Sequence, residues 1–535
     1  MVRENNPKQL SIQEFKSPFY RGLDKNNRWV SLAQVLPWEE MTKIYTQSLH
    51  KTFGRPAAPT RIVIGALIIK HKLRMSDEET IATIQENPYL QYFIGNEEFS
   101  HKPAFDPSLF VTIRKRLGDE ALADMNAKFI SMVKTAEKEQ WSQSKKKKRK
   151  SSKASNSSAE SPEEGSEKSS EEPTHKGVLL LDATVAPADI KYPTDLDLLN
   201  SSREHSERLI DMLYEPEAGK VKPRTYRRKA RKDYLSLAKK RKKSVKELRK
   251  GLRKQLNYLK RNLHTTSNLL DSYKDRKIPF AYKDFKTLWV ITEVYRQQKE
   301  MYDQHRHKIA DRIVNISQPH VRPIVRGKAG KDVEFGAKIS ASVIDGYTFL
   351  DRVSWDAYNE SSDLPLQVER YKERFGYYPA VVVTDQIYGT RGNRKYLKER
   401  LIRFSGKSLG RPPKEAALDD AFIKVRQKQR KYESRLRNHI EGKFGEGKRG
   451  YDLGLVKTKT ARTSEAWIAA VFFVMNLARW LRDYFLSLFS ELFSTAFRVS
   501  FAFKERLSAL AWASTAKFCW MWLFQDTLIR WIFPP

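Results

Sequence analysis

The sequence predicts an α/β protein in which a helical N-terminal domain precedes a mixed sheet with flanking helices and a basic helical insertion. Three observations support this class. Residues 61–73 are apolar at helical spacing, and residues 178–185 (VLLLDATV) form the short continuous apolar run that is typical of a buried strand. Residues 220–261 contain 20 Lys and Arg against 2 Asp and Glu, together with the leucine stripe of an amphipathic helix.

Residues 1–135 are predicted to form the helical N-terminal domain. Its clearest helix is the run RIVIGALIIKHKL at 61–73. Ser76 precedes an acidic turn at 77–79, which suits a helix N-cap and the positive end of the helix dipole. The dipeptide Asn87-Pro88 then predicts the end of this second helix.

The segment 136–175 is predicted to be a disordered linker. It contains the basic block KKKKRK at 145–150, followed by Ser, Glu and Asn. A segment of this composition cannot bury enough apolar surface to fold by itself. The basic block could also contact phosphates.

Residues 176–483 are predicted to form the sheet-containing domain. After the strand at 178–185, Asp345-Gly346 is a turn signal between the alternating runs of a hairpin at 332–354. A further buried strand is predicted at 380–384 (AVVVT), and 430–483 is predicted to be helical. Lys338 could face a phosphate, although a lysine that protects an edge strand from aggregation is the favoured interpretation.

The helical insertion is predicted at about 200–315. Apolar residues recur along one of its helices at steps of three and four: Val245, Leu248, Leu252, Leu256, Leu259 and Leu263. A solvated charged face is the usual explanation of such a helix. The density of positive charge favours an arm that contacts phosphates, with Arg227, Arg228 and Lys229 as candidate DNA-binding residues.

The charge of the whole chain indicates a polyanionic partner. There are 100 Lys and Arg against 64 Asp and Glu, for a formal net charge of +36, and nucleic acid is the commonest polyanion. The alternative is a merely soluble basic protein. The single cysteine, Cys519, excludes an internal disulfide and a multi-cysteine zinc site. Because no secretory signal is recognised, we expect a cytoplasmic, nucleoid-associated protein.

Three acidic residues are the candidate chemical centre. Asp182 ends the apolar run VLLL, Asp385 follows the run VVVT, and Glu441 lies in a basic helical stretch. Carboxylates at the ends of neighbouring buried strands can converge, and a helix beside the sheet can add a third. Such a cluster needs cations, and carboxylate oxygens suit Mg²⁺ or Mn²⁺. On composition alone other acids compete: Asp189, Asp195, Asp197, Asp345 and Asp351.

The sequences around these three acids resemble those of DDE insertion-sequence transposases, which have a ribonuclease-H-like catalytic core. The stretch LLLDATVAPADIKYPTDLDLLN is similar to the motif of the first Asp, and VVVTDQIYGTRGNRKYLKER to that of the second. The stretch RNHIEGKFGEGKRGYDLG is similar to the motif of the Glu, and residues 54–118 resemble an InsH-type N-terminal domain. The similarity leaves out 136–175 and the segment 484–535, and it implies a ribonuclease-H-like mixed sheet.

The resemblance implies catalytic and metal-binding roles for Asp182, Asp385 and Glu441. Two Mg²⁺ or Mn²⁺ ions about 3.5–4 Å apart would then serve cleavage and joining of DNA strands. Asp182 would bridge the two ions, while Asp385 and Glu441 would each complete one side. The N-terminal domain is expected to bind the terminal repeats of the element, and a homodimer is expected to hold the two ends together. No membrane partner is expected.

The family pattern around the Glu is Tyr, two residues, Arg, three residues, Glu, six residues, Lys. Arg437 and Lys448 fit this pattern, whereas Ser434 stands where the family has the Tyr. The resemblance implies that Arg437 and Lys448 hold DNA near the metal ions, and Lys443 is a further candidate. The alternative for Arg437 is a salt bridge to Glu441 on the helix surface.

Two other functions remain open at this point: another ribonuclease-H-like nuclease, and an inactive DNA-binding relic of a transposase. The C-terminal segment 484–535 is aromatic and amphipathic, with apolar residues every three or four positions over 485–501. Core packing or a dimer face, interfacial membrane binding and a degenerate tail all fit it.

Overall fold

In the computed structural model, seven stretches of the chain are described, together with a few isolated positions between them: 22–47, 57–153, 175–214, 221–273, 276–328, 331–407 and 420–507. The chain divides into two compact units, residues 1–478 and 479–535.

The N-terminal part is helical, as predicted. Its helices are α1 (Arg28–Val35), α2 (Trp38–Gln47), α3 (Thr60–Leu73), α4 (Asp77–Glu86), α5 (Pro88–Ile94) and α6 (Leu109–Lys153). The apolar helix α3 is central, with ten of its fourteen residues buried. Ser76 caps α4 by accepting a hydrogen bond from the Glu79 N–H, and Asn87 ends α4 just before Pro88 begins α5. The predicted helix signals are confirmed.

Helix α6 extends further than the sequence analysis predicted. It is interrupted at Gly118, where φ is 65°, and then continues to Lys153. The first part of the predicted linker 136–175 is thus helical. The prediction considered only how little apolar surface the segment can bury, whereas Lys, Glu, Gln and Ala have high intrinsic helix propensities.

A six-stranded mixed sheet follows the N-terminal helices in the described part of the chain. Its strands are β1 (Val178–Pro187), β2 (Arg322–Lys328), β3 (Lys331–Ile344), β4 (Tyr347–Ser354), β5 (Val381–Val383) and β6 (Arg403–Phe404). The order across the sheet is β2-β3-β1-β5-β6, and β4 also pairs with β3. Strand β1 is antiparallel to β3 and parallel to β5, which is parallel to β6. This mixed α/β sheet with flanking helices agrees with the predicted ribonuclease-H-like core.

Strand β3 is long enough to pair with two strands along one edge. Its first half pairs with β2 and its second half with β4, while its other edge pairs with β1. The predicted hairpin turn is confirmed, since Asp345 and Gly346 both have positive φ, at 51° and 78°. Lys338 pairs with Val185 on one side and Ser354 on the other, so it does not lie on an edge strand. The favoured interpretation of Lys338 was wrong because a single sequence does not show which strands flank a given strand.

The insertion between β1 and β2 is helical. It consists of α7 (Asp195–Leu213), α8 (Arg227–Ala238), α9 (Val245–Asp271) and α10 (Tyr282–Asp303). Helix α9 packs against α7, with Leu256 and Leu259 in a cluster with Leu199. The predicted apolar stripe is only partly buried, because Val245 at its start is 82% exposed. The first turn of α9 thus extends beyond the helices that cover its later turns.

The remaining helices are α11 (Leu364–Phe375), α12 (Arg391–Glu399), α13 (Asp420–Gly450) and α14 (Ala461–Leu507). Short 3₁₀ turns lie at Glu360–Asp363 and Gln386–Tyr388. No helix in the described ranges has an apolar stretch long enough to cross a bilayer. The predicted C-terminal segment begins inside α14, and its residues 508–535 lie outside the described residues.

A buried polar network joins the N-terminal helices to the sheet. The Asn476 amide donates to the Asn126 side-chain oxygen at 2.8 Å and to the Thr348 carbonyl at 2.7 Å. The Thr348 N–H donates back to the Asn476 side-chain oxygen at 2.8 Å. These residues belong to α6, β4 and α14, three segments that are far apart in sequence. The network therefore specifies how they pack, because a buried amide tolerates few arrangements that satisfy all its groups.

We predict that Asn476→Ala lowers the free energy of unfolding by about 1–3 kcal/mol, because the buried Thr348 N–H loses its acceptor. The midpoint of urea denaturation measures the change. Asn268→Ala, an exposed site on α9, is the control, and we expect its effect to stay within about 0.5 kcal/mol. Equal losses in the two variants would contradict a structural role for the network.

Candidate active site

The parallel pairing of β1 with β5 brings two of the candidate acids together. The ladder ends with Leu180 opposite Val383. Asp182 and Asp385 each lie two residues beyond that pair, so they stand at the same level, Asp182 still within β1 and Asp385 just after β5. Although the two aspartates are far apart in the sequence, the pairing of Leu180 with Val383 brings them to neighbouring positions.

Asp182 lies within β1, in a partly buried position. Burial is the main reason why the pKa of its carboxyl is raised to about 6. A hydrogen bond from the Ala183 N–H, at 2.8 Å, offsets part of the rise. Nearby negative charges raise the pKa further, and these belong to Glu360, Glu441 and Asp385. The electrostatics of Asp182 thus place all three predicted acids in one region.

Asp385 directly follows β5 and Thr384, and it caps the 3₁₀ turn that begins at Gln386. Its carboxylate accepts a hydrogen bond from the Gln386 N–H at 2.6 Å. The side chain is 55% exposed. One carboxylate oxygen is therefore held by the turn, and the group faces solvent above the end of the strand.

Glu441 is carried by α13, which packs against β1 and β5. The buried side of this helix includes Glu433, Ile440 and Phe444, and Glu433 forms an ion pair with Arg403 of β6. Glu441 follows Ile440, so it lies at the margin of the buried side and remains half exposed. The helix that packs against β1 and β5 thus carries the third candidate acid.

Arg437 bonds to two of the three acids. Its Nη1 donates to Asp385 at 3.1 Å and its Nη2 donates to Glu441 at 3.0 Å. The Glu441 pair is the i,i+4 pair that the sequence analysis held as an alternative. The bond to Asp385 was not expected. Because one planar guanidinium reaches both carboxylates, Asp385 and Glu441 must lie within a few ångströms of each other.

The donor set fits hard divalent cations. Three carboxylates in one region offer only oxygen ligands, which Mg²⁺ and Mn²⁺ prefer, and a cationic group already lies between two of them. In the described part of the chain, however, no three acidic, histidine or cysteine side chains are close enough to hold one ion. An ion held by all three carboxylates would therefore require the side chains at this site to shift.

Glu360 is a fourth acid that the sequence analysis missed. It follows β4, its charge raises the pKa of Asp182, and its carboxylate pairs with Lys338 at 3.2 Å. Tyr388 lies beside the same group: it is fully buried, and its hydroxyl has no hydrogen-bond partner among the described atoms. Burial, and then the charges of Glu360 and Asp182, raise the pKa of Tyr388. No local motif identifies Glu360, because only the fold of the hairpin brings it here.

The acids that competed on composition lie in other surroundings. Asp351 is buried and pairs with Arg374 at 3.2 Å, and Asp345 lies in the hairpin turn and pairs with Lys134 at 2.7 Å. In α7 and just before it, Asp195 pairs with Arg312, Asp197 pairs with Lys191, and Asp189 is exposed. Each paired acid therefore has a local structural partner away from the candidate site.

The predicted DNA-binding residues differ in their surroundings. Lys443 is only 13% exposed and pairs with Glu446 at 2.7 Å. Lys448 is half-buried in the last turn of α13. On α8, Arg227 is bonded to Asp211 at 2.9 Å, while Arg228 and Lys229 are exposed. The structure does not bring the α8 residues and the acidic triad into one cluster.

Comparison with known proteins points to transposases at both ends of the larger unit. A family model described as a transposase domain (DUF772) matches residues 17–116, and one described as a transposase DDE domain matches residues 382–478. The uncharacterized protein ORF8 in the nfe locus of Rhizobium meliloti is 38% identical over 124 residues, which are 23% of this chain. The chain spans 59% of the length of that relative. No solved structure matches the chain.

We predict that Asp182→Asn stabilises the metal-free protein at high pH and not at low pH. The folded-state pKa of Asp182, about 6, lies above its ordinary value of 3.8. Stability is therefore lost as pH rises through this interval, because the folded state must give up a proton that it binds more tightly than the unfolded state. Asparagine removes that loss. Thermal midpoints in EDTA should match the parent protein at pH 4 and exceed it at pH 8.

The control for this measurement is Asp189→Asn, which removes one negative charge from an exposed position beyond the end of β1. A pH-independent shift in Asp182→Asn, or the same pH-dependent gain in Asp189→Asn, would show that burial of Asp182 is not the cause.

Proposed function

We propose that this chain, which resembles DDE insertion-sequence transposases in its domain content, cuts DNA at the ends of its element and joins the freed ends to target DNA. The observation that supports the proposal is that Arg437 bonds to both Asp385 and Glu441, while the β1–β5 register sets Asp182 at the level of Asp385. A cluster of carboxylates that only a cation can balance is what phosphodiester chemistry at two metal ions requires.

The three acids differ in how deeply they are buried, and this suggests a different metal-binding role for each. Asp182 is the innermost, so it would be the ligand shared between two ions, while the more exposed Asp385 and Glu441 would each hold one. When bound, Mg²⁺ or Mn²⁺ ions supply the positive charge that activates the attacking oxygen and stabilises the leaving oxygen. The protein has to hold the three carboxylates in place and admit the DNA strand from the solvent side.

The basic residues near the triad would position the DNA backbone. Lys448 lies seven residues after Glu441 on α13, which places it about 10 Å farther along the helix. At that distance it would contact a neighbouring phosphate and not the one that reacts. Lys443 lies between them, but its ion pair with Glu446 has to open before it can contribute.

The insertion would hold DNA at a greater distance from the reaction. One face of α8, with the residue that follows it, forms an exposed basic patch of Arg228, Arg231, Lys232 and Lys239. None of these four has an ion-pair partner among the described residues, so their charges are available to phosphates. We propose that this basic patch binds duplex DNA. The insertion that carries it lies between Asp182 and Asp385 in the sequence.

The expected assembly is a homodimer on the two DNA ends, because joining both ends to one target requires two active sites in one complex. The N-terminal helices would recognise the terminal repeats, and their packing onto the sheet through the Asn476 network would transmit that recognition to the catalytic residues. The protein would then act at the nucleoid.

We predict that Asp182→Asn, Asp385→Asn and Glu441→Gln each lower Mg²⁺-dependent cleavage of duplexes carrying the ends of the element by at least about 100-fold, because each removes an oxygen ligand of the ions. Glu399→Gln, an exposed site at the end of α12, is the control and should retain full activity. Cleavage that survives any of the three substitutions would refute the triad.

Strand transfer with pre-cut ends tests the joining step separately. A transposase should yield joined products with the parent protein and none with Asp385→Asn. Cleavage without joining would identify another ribonuclease-H-like nuclease, and DNA binding without either reaction would identify an inactive relic.

We predict that the double variant Arg228→Gln and Lys232→Gln makes the negative slope of log Kobs against log salt concentration shallower by about 1–2, because each lost phosphate contact removes roughly 0.9 from its magnitude. Arg227→Gln is the matched control: its guanidinium already bonds to Asp211, so we expect a smaller change. Fluorescence anisotropy on a labelled duplex measures both. Equal slopes in parent and double variant would mean that α8 does not contact DNA.

A further inference from the structure

The position of Arg437 is unusual for a residue expected to hold DNA. Both of its terminal nitrogens bond to carboxylates of the triad, one to Asp385 and one to Glu441. These two bonds turn both terminal nitrogens of the guanidinium toward carboxylates and use two of its five N–H donors. In the DNA-free protein, Arg437 thus forms ion pairs with Asp385 and Glu441.

Repulsion among the carboxylates explains why the Arg437 guanidinium lies between Asp385 and Glu441. Asp182, Asp385 and Glu441 bring three carboxylates into one region, and like charges at short range destabilise each other. Arg437 supplies one positive charge at the two more exposed members, where it forms bonds of 3.0 and 3.1 Å. A divalent ion at the same two carboxylates would supply twice that charge. The two cations compete for the same oxygens.

The ion pairs that Arg437 forms with Asp385 and Glu441 are also weak enough to break. Its side chain is 41% exposed, and its partners are 55% and 51% exposed. Ion pairs of this exposure contribute about 0.2–1 kcal/mol each, because water screens them. The arrangement is therefore strong enough to hold two carboxylates together and weak enough to be displaced.

We propose that Arg437 is a stand-in cation that holds Asp385 and Glu441 together in the metal-free site and is displaced when a divalent ion enters. Displacement frees the guanidinium, one helical turn before Glu441, to bind a DNA phosphate. Metal loading and DNA binding are then coupled through one side chain. This inference rests on the proposed function, since it assumes that the triad is the metal site.

The first test measures metal binding without any reaction. Full-length protein, free of DNA, is titrated with Mn²⁺ and the free ion is followed by electron paramagnetic resonance. We expect Arg437→Gln to bind Mn²⁺ about threefold to tenfold more tightly than the parent protein, as the loss of two partly exposed ion pairs allows. Arg437→Lys, which keeps a charge, should lie between them.

The matched control is Arg435→Gln, which removes the same charge from an exposed position on the same helix. It should leave Mn²⁺ affinity within a factor of about two of the parent. An equal gain in Arg435→Gln and Arg437→Gln would reduce the effect to net charge. Unchanged or weaker Mn²⁺ binding in Arg437→Gln would overturn the proposal, because a residue that only positions the acids gives that result.

The second test measures the coupling itself. Duplex binding is compared in Ca²⁺ and in EDTA at one ionic strength. If the ion releases Arg437 for a phosphate, Ca²⁺ strengthens DNA binding of the parent protein more than that of Arg437→Gln, and the ratio is the coupling between the two sites. The same gain in both proteins would contradict the coupling.

Asp385→Asn separates this inference from the function on which it rests. If Asp385→Asn abolishes the strongest Mn²⁺ binding while Arg437→Gln does not enhance it, the triad binds metal and only the role of Arg437 is wrong. If Asp385→Asn leaves Mn²⁺ binding unchanged, the triad is not the metal site, and the proposed function fails together with the inference.

Discussion

The parallel ladder between β1 and β5 is the constraint on which the site depends. The two strands are separated by the whole insertion and the β3–β4 hairpin, yet their register sets Asp182 and Asp385 at the same level. A shift of one residue in this pairing would turn one of the two side chains to the opposite face of the sheet. The apolar runs that precede the two aspartates are buried in the sheet, so burial of those runs is what holds the register.

The acids that this ladder gathers are balanced by cations from several parts of the chain. Arg437 bonds to Asp385 and Glu441, and Lys338 bonds to Glu360. Asp182 is bonded to neither cation in the structure, and burial raises its pKa to about 6. A group of this kind is destabilising in the metal-free protein. A site that bears such a cost is expected where function requires the charge.

The sheet that carries the candidate site, the N-terminal helices and the strongly basic surface of α8 are different parts of the fold. The N-terminal helices pack against the sheet through a buried network of Asn126, Thr348 and Asn476, so they form one compact unit with it. The insertion has its own apolar core around Leu199 and Leu259, which leaves the arginines and lysines of α8 on the outside. A packed connection on one side and a charged surface on the other suit the proposed function, in which DNA is held and acted on at separate points.

Local patterns in the sequence predicted several of the elements, and the resemblance selected the three acidic candidates. The cap at Ser76, the turn at Asp345-Gly346 and the buried runs before Asp182 and Asp385 are signals carried by a few adjacent residues, and the structure contains each of the corresponding elements. The pattern around Glu441 likewise predicted a helix, and it included Arg437. The α/β class followed from these elements.

Tertiary structure alone decided which of these residues meet. The sequence could not show that Lys338 lies in a central strand, that Glu360 comes close to Asp182, or that Arg437 reaches Asp385. It also could not show that Val245 stays exposed while Leu256 is buried on the same stripe. Strand order and helix packing are set by long-range pairing and by the burial of whole faces, and a local pattern specifies an element without specifying its neighbours.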